Sequence, residues 1–346
     1  MRFTQSKALI LLIFLIFLFT FFSAASSTET IISGLDTVWE LAWGPNGDLY
    51  ITERNGRVSR WNGEKLTVVK QLPVIERGES GLMGMVLDHD FDRNSYIYFC
   101  YTRNAKGTLE NVVERFELID EKLVGGKIVL EDMRGSFIHD GCRLAFDRDE
   151  KLLVTMGDSA RASLAQDKDS LNGKVLRVNP DGSIPEDNPF PNSPVFTLGH
   201  RNPQGLDIRP GTEEIYISEH GPDTDDEINR LIAGNNYGWP EIKGTREEEG
   251  FEPALWDWTP TIAPAGIEFM DERTLYLVTL KQSKLHRLIL DEDGRIESDE
   301  VVLEGYGRLR AILKDPESRC LYIGTSNRDG RGRPREGDDR VIKYCP

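Results

Sequence analysis

Residues 43–52 read Trp43-Gly44-Pro45-Asn46-Gly47-Asp48-Leu49-Tyr50-Ile51-Thr52, an apolar residue, a polar turn and then a short run of Leu, Tyr, Ile and Thr. Asn-Gly ahead of such a run is a tight-turn signal, and the run itself suits a half-buried strand. The pattern returns from Leu87 to Tyr96-Ile97-Tyr98-Phe99, from Phe146 to Leu152-Leu153-Val154-Thr155 and from Ile208 to Ile215-Tyr216-Ile217-Ser218. Copies from Phe269 to Leu275-Tyr276-Leu277-Val278 and from Leu313 to Leu321-Tyr322-Ile323-Gly324 bring the set to six. Successive strands lie about 45–65 residues apart, the scale of one four-stranded blade. A lone sheet cannot cover both of its faces, so the copies must stack around an axis. The repeat therefore predicts an all-β fold, a six-bladed β-propeller of four-stranded antiparallel blades spanning residues 30–346. Chemistry is then expected in loops at one end of the central channel, drawn from several blades.

The rest of the composition bounds the function. The chain has 346 residues and a formal net charge of −16, which argues against nucleic acid as a partner. Arg2 and Lys7 precede an apolar run from Ala8 to Phe22, followed by small residues Ser23-Ala24-Ala25-Ser26. Residues 1–25 thus read as a signal peptide or an N-terminal membrane anchor, and either places the folded part outside the cytoplasm. Membrane contact is expected through this segment alone. Four cysteines, Cys100, Cys142, Cys320 and Cys345, form no CxxC pair, so zinc has little support. Cys320 opens one predicted strand and Cys345 closes another. Antiparallel pairing would bring them together as a disulfide; the alternative is two buried thiols.

Polar, glycine-punctuated segments interrupt the repeat in its third and fourth copies. They are Ile138-His139-Asp140-Gly141-Cys142, Met156-Gly157-Asp158, Gly199 to Gly205, Ser218 to Asn229 and Asn235 to Pro240. His139 stands out because Asp158 ends the next strand of the same copy, and a carboxylate beside an imidazole sets its tautomer and basicity. Arg308 and Arg310, two apart on a predicted strand, share a face, and Lys281 precedes a similar strand one copy earlier. Cations facing one channel suit a multiply carboxylated ligand, although exposed strand-edge residues would look the same. The acids from Asp223 to Glu227 offer hard oxygen ligands for calcium, or simply a solvated loop.

Together, Gly199-His-Arg-Asn-Pro-Gln-Gly, Glu219-His-Gly-Pro, Asp226-Glu-Ile-Asn and Asn236-Tyr-Gly-Trp-Pro resemble the soluble pyrroloquinoline quinone (PQQ)-dependent aldose sugar and glucose dehydrogenases. Gly78-Glu-Ser-Gly-Leu-Met-Gly, Trp258-Thr-Pro-Thr-Ile-Ala-Pro and Gly307-Arg-Leu-Arg extend the likeness, in the family's order, over nearly all of the mature chain. The resemblance implies oxidation of an aldose at C1 to the lactone, with PQQ and Ca2+ as cofactors and an electron acceptor of unspecified chemistry. It implies His139 as the base, Asp158 as its orienting carboxylate and Arg201 beside the reactive carbonyl. Glu79, Arg201, Asn202, Thr261, Lys281, Arg308 and Arg310 would contact the cofactor. Gly221 and Pro222 would ligate the calcium at the quinone, and Glu227 and Tyr237 a second one.

Three positions depart from the family pattern. Glu79 stands where a Gln is usual and would need a neutralising partner near an anionic cofactor. Ile138 precedes the base and Ala311 follows the paired arginines where acids are often found. With short later loops, these changes imply an open pocket and broad aldose specificity, in a monomer or homodimer. The alternatives are a calcium-dependent propeller hydrolase of lactonase type and a non-catalytic binding propeller.

Overall fold

The computed structural model describes residues 26–346; the expected leader, 1–25, lies outside the described residues. The strands form six four-stranded antiparallel sheets, as the repeat predicts. Blade 1 comprises Val38–Trp43, Leu49–Glu53, Arg57–Trp61 and Leu66–Gln71. Blade 2 is built from Leu82–Leu87, Tyr96–Ala105, Thr108–Ile119 and Lys122–Arg134. Leu144–Phe146, Leu152–Met156, Lys174–Val178 and Val195–Leu198 form blade 3. Pro203–Ile208, Ile215–Glu219, Asp226–Leu231 and Trp256–Trp258 form blade 4. Blade 5 holds Pro264–Asp271, Thr274–Thr279, Lys284–Leu290 and Ile296–Glu304. Blade 6 contains Leu309–Lys314, Leu321–Thr325 and Arg340–Cys345, and its outer strand, Ser27–Ser33, comes from the other end of the chain.

The first strand of every blade packs against the first strand of the next, and that of blade 6 against that of blade 1, so the ring is closed. The repeated motif is the second strand together with the turn that feeds it. Its residues are buried along their whole length in blades 1, 3, 4 and 6, which is why they are Leu, Tyr, Ile and Val. Gly44 N–H donates to Asp48 O at 2.8 Å, and the equivalent bond recurs as Asp147 to Lys151, Arg209 to Glu214 and Asp315 to Cys320, each at 2.9 Å. Ile32, Leu35, Val38, Leu41 and Ile51 pack with Ala311, Tyr322 and Val341 across the closing seam. Each Val, Leu or Ile among them, fully buried, contributes about 1.5–3 kcal/mol, and these contacts hold the two chain ends together.

Both pairs of cysteines are bridged. Cys320–Cys345 joins the second and third strands of blade 6 with Cα atoms 4.2 Å apart, as the antiparallel reading expects. Cys100–Cys142, with Cα atoms 6.2 Å apart, ties the second strand of blade 2 to the loop entering blade 3.

Candidate functional site

All the antiparallel sheets run outward from the axis, so two families of loops meet at one end of the channel. One family enters the first strands and supplies Glu79, His139, Arg201, Asn202, Thr261 and Arg308. The other leaves the second strands and supplies Asp158, Gly221, Pro222, Lys281 and Asp329. Residues more than 200 positions apart in the chain therefore share one mouth.

His139 sits with its Nδ1 2.7 Å from Asp158 Oδ1. Asp158 is buried and is itself fixed, its Oδ2 accepting from Trp239 Nε1 at 2.9 Å and its Oδ1 from the Ala160 amide at 2.8 Å. A carboxylate can only accept, so Nδ1 carries the hydrogen and Nε2 keeps a lone pair. The backbone of His139 is held in the left-handed region, φ 63°, and its amide donates to Glu79 Oε2 at 2.8 Å. Beneath it Asp140 is fully buried and accepts from Ser80 Oγ at 3.0 Å, Asn111 Nδ2 at 2.9 Å and the Ser136 amide at 2.8 Å. Burial pushes the Asp140 carboxyl up to about 7 against those bonds.

Glu79 has the neutralising partner that its position demands. Arg331 Nη1 lies 2.9 Å from Oε1, while Asn202 Nδ2 donates to Oε2 at 3.2 Å. Burial alone would raise this carboxyl, but His220, Arg331 and the His139 amide together bring it below its ordinary value. Burial in turn lowers His220 to about 3. Arg331 was not singled out in the sequence, where it sits in the run Arg328-Asp-Gly-Arg-Gly-Arg-Pro-Arg335 and looks like a charged loop.

Arg201 lies over Trp239, its guanidinium 5.3 Å from the ring centroid, and donates from Nη1 to His220 O at 3.0 Å. Its buried Nε has no hydrogen-bond partner. Lys281 Nζ donates to Thr261 Oγ1, so these two predicted contacts form one unit. Arg308 Nε donates to Asp329 Oδ2 at 2.7 Å, and Arg310 Nη2 lies 3.6 Å from the same oxygen. Arg308 precedes the strand that begins at Leu309 and is not on it, as the spacing suggested, and the register shifts between Leu309 and Ala311. The two arginines consequently line different hollows. Arg308 lines one of about 470 Å³ with Lys281, Arg331 and Arg335, and Arg310 one of about 410 Å³ with Arg54, Glu79 and Arg331. Burial, with Arg308 and Arg54 adding to it, lowers Arg310 to about 9 despite Asp329.

The four residues predicted to meet metal come together. Gly221, Pro222, Glu227 and Tyr237 line one small cavity of about 10 Å³, roughly the size that a single water or ion centre fills. Their Gly221, Pro222 and Tyr237 carbonyls accept no hydrogen bond among the described residues, and the buried Asn229 Oδ1 nearby is likewise unpartnered. Asp226 shapes the loop, accepting from the Gly221 amide at 2.8 Å and from the Ile262 and Ala263 amides at 2.6 Å each. Burial, reinforced by Glu219, pushes Glu227 up to about 8. Hard oxygen donors around so small a space fit a calcium ion resting mainly on carbonyls. Among the described residues no three His, Cys, Asp or Glu side chains form a metal set of their own. The cationic hollows fit a flat, multiply carboxylated cofactor such as PQQ.

A sequence model of the glucose / sorbosone dehydrogenase family matches residues 35–333, nearly the whole described chain. The chain belongs to this family. It is 36% identical to quinoprotein glucose dehydrogenase B of Acinetobacter calcoaceticus, over 90% of this chain and 87% of that one. The PQQ-bound form of the aldose sugar dehydrogenase of Streptomyces coelicolor superposes with a TM-score of 0.86 at 34% identity, covering 93% and 98% of the two chains. The apo-form of the soluble aldose sugar dehydrogenase of Escherichia coli does so at 0.84 and 28% identity, covering 93% and 99%. The family likeness thus extends over the full propeller, and the chain is an oxidoreductase of the sugar dehydrogenase type.

Proposed function

We propose that this chain oxidises aldose sugars at C1 to the lactone with PQQ and calcium, outside the cytoplasm. One observation carries the reading: the His139–Asp158 pair opens onto the same mouth as the hollows lined by Lys281, Arg308, Arg310 and Arg331. The relatives' names add the cofactor and the substrate class. Two disulfides, with the apolar leader, support an extracytoplasmic setting.

In this reading His139 Nε2 takes the proton of the anomeric hydroxyl while Asp158 stabilises the imidazolium and keeps the ring from turning. Glu79 holds the backbone of His139 and the amide of Asn202, so base and neighbour are aligned before the sugar arrives. Lys281, Arg308 and Arg310 would hold the carboxylates of PQQ, with Thr261 steadying Lys281. The orphaned Arg201 Nε has an unused hydrogen for a developing oxyanion. Gly221 and Pro222 would ligate the calcium beside the quinone, and Glu227 with the Tyr237 carbonyl, which line the same small cavity, would complete the donor set of that one ion. When bound, PQQ would supply a hydride acceptor for C1, and calcium a Lewis acid.

The test is reconstitution of the apo-protein with PQQ and Ca2+, followed by dye reduction over a panel of aldoses. Sugar-dependent turnover that requires both additions is expected. A protein that turns over lactones with calcium alone, or binds PQQ without oxidising any aldose, would displace this reading in favour of a hydrolase or a binding propeller.

A further inference from the structure

Phe137 lies two residues ahead of the base and presents 54% of its surface to solvent. The other large apolar side chains exposed among the described residues, such as Val68 and Ile119, are aliphatic. An exposed aliphatic residue on a strand edge needs no explanation, but an exposed aromatic ring at a reaction mouth loses apolar contact unless something covers it. Its setting is built and not a loose loop tip. The Phe137 carbonyl accepts from the Glu79 amide at 2.9 Å, tying it to the residue that holds His139. The ring rests against Gly78, φ +67°, where a Cβ would come within 2.9 Å of ring Cδ2 and 2.2 Å of the Phe137 carbonyl oxygen. That contact explains the glycine. On the same ring the Arg77 guanidinium lies 5.9 Å from the centroid. Beyond it opens the hollow of about 410 Å³ lined by Glu79, Arg310 and Arg331.

We propose that Phe137 is the stacking platform for the sugar ring, and hence a specificity-determining residue of this site; the inference rests on the dehydrogenase reading above. A pyranose has an apolar face of C–H bonds and a polar rim of hydroxyls. An aromatic plane beside a carboxylate and an arginine complements both, the ring taking the C–H face and Glu79 and Arg331 lying within reach of the rim. Phe137 and His139 share one loop and are both tied to Glu79, which keeps the platform close to the base. A platform of this kind is indifferent to the configuration of single hydroxyls, which accords with acceptance of many aldoses.

The experiment compares wild type with Phe137→Ala, Phe137→Leu and Phe137→Tyr, using D-glucose as the probe and holo-protein reconstituted with PQQ and Ca2+. Loss of the ring should raise KM for D-glucose about 3- to 10-fold in the Ala and Leu variants, with kcat held within about 2-fold. The Tyr variant should keep the wild-type KM. PQQ affinity should not move, and saturation-transfer NMR of D-glucose with the apo-protein should lose intensity in the Ala variant. An unchanged KM in the Ala variant overturns the platform. So does a loss confined to PQQ affinity, or to KM for the dye, since either assigns the ring to another ligand. Failure of the wild type to oxidise any aldose would instead strike the dehydrogenase reading, and the wild-type control separates the two outcomes.

Discussion

The two ends of the propeller channel are built from the same strands and behave in opposite ways. At one end the first strands turn back into the second through short, repeated turns closed by equivalent hydrogen bonds. At the other, loops of varied length and without a common pattern bring in His139, Arg201, Thr261, Lys281 and Arg308. The electrostatics differ as well. The turn end encloses about 370 Å³ among Glu40, Asp207, Glu268 and Arg143. Burial pushes Asp207 up to about 6, and burial with Asp207 raises Glu268 well above its ordinary value, so this end holds protons more tightly than exposed carboxylates do. The loop end crowds Arg54, Arg308 and Arg310 against Asp329 and lowers Arg310 by burial and like charge. An anion is therefore favoured at one mouth and disfavoured at the other.

The largest expected break in this contrast comes from His139→Gln. It should cut kcat at least about 100-fold while leaving PQQ affinity intact, as steady-state rates and cofactor titration would check. Arg310→Ala and Arg308→Ala should instead weaken PQQ binding about 10- to 100-fold, measured by reconstitution, with smaller effects on kcat at saturating cofactor. Arg331→Ala leaves Glu79 as an uncompensated buried carboxylate and should cost about 5- to 10-fold in kcat/KM. Glu79→Gln in that background should recover much of the loss, the non-additivity that a direct pair produces.

The smallest effect belongs to the turn end. Folded Glu268 holds a proton that the unfolded chain releases, so stability falls as pH rises from the ordinary carboxylate value through the raised one. Glu268→Gln has no proton to lose and should flatten that fall. Its Tm at pH 8 should rise by about 2 °C, by calorimetry, with sugar oxidation unchanged.

The same contrast explains what could be read from the chain. The turn end and the second strands were legible because each copy solves the same local problem, and Leu-Tyr-Ile runs after Asn-Gly or Asp-Glu turns announce it. The closing strand Ser27–Ser33 was not, since five of its seven residues are polar and it is largely exposed at a blade's edge. Propeller strands therefore begin three residues ahead of the expected position 30. At the site, His139 and Asp158 could be paired because they belong to one copy, and family resemblance placed the cations and the calcium loop. Arg331 escaped because its partner Glu79 is 252 residues away and only ring closure joins them. Trp239, which holds both Asp158 and Arg201, belongs to the Asn236-Tyr-Gly-Trp-Pro motif, but nothing in that motif assigns the indole a role. Cys100 and Cys142 lie in different copies, and no local pattern relates them.

The central claim is that the loop end of the channel, and not the turn end, receives the cofactor. Titration of the apo-protein with PQQ, followed by cofactor absorbance with and without Ca2+, tests it most directly on wild type, Arg310→Ala and Glu268→Gln. The account predicts saturation at one PQQ per chain, weakened by chelator and by Arg310→Ala and untouched by Glu268→Gln. Absence of binding in the wild type, or equal loss in both variants, would contradict it.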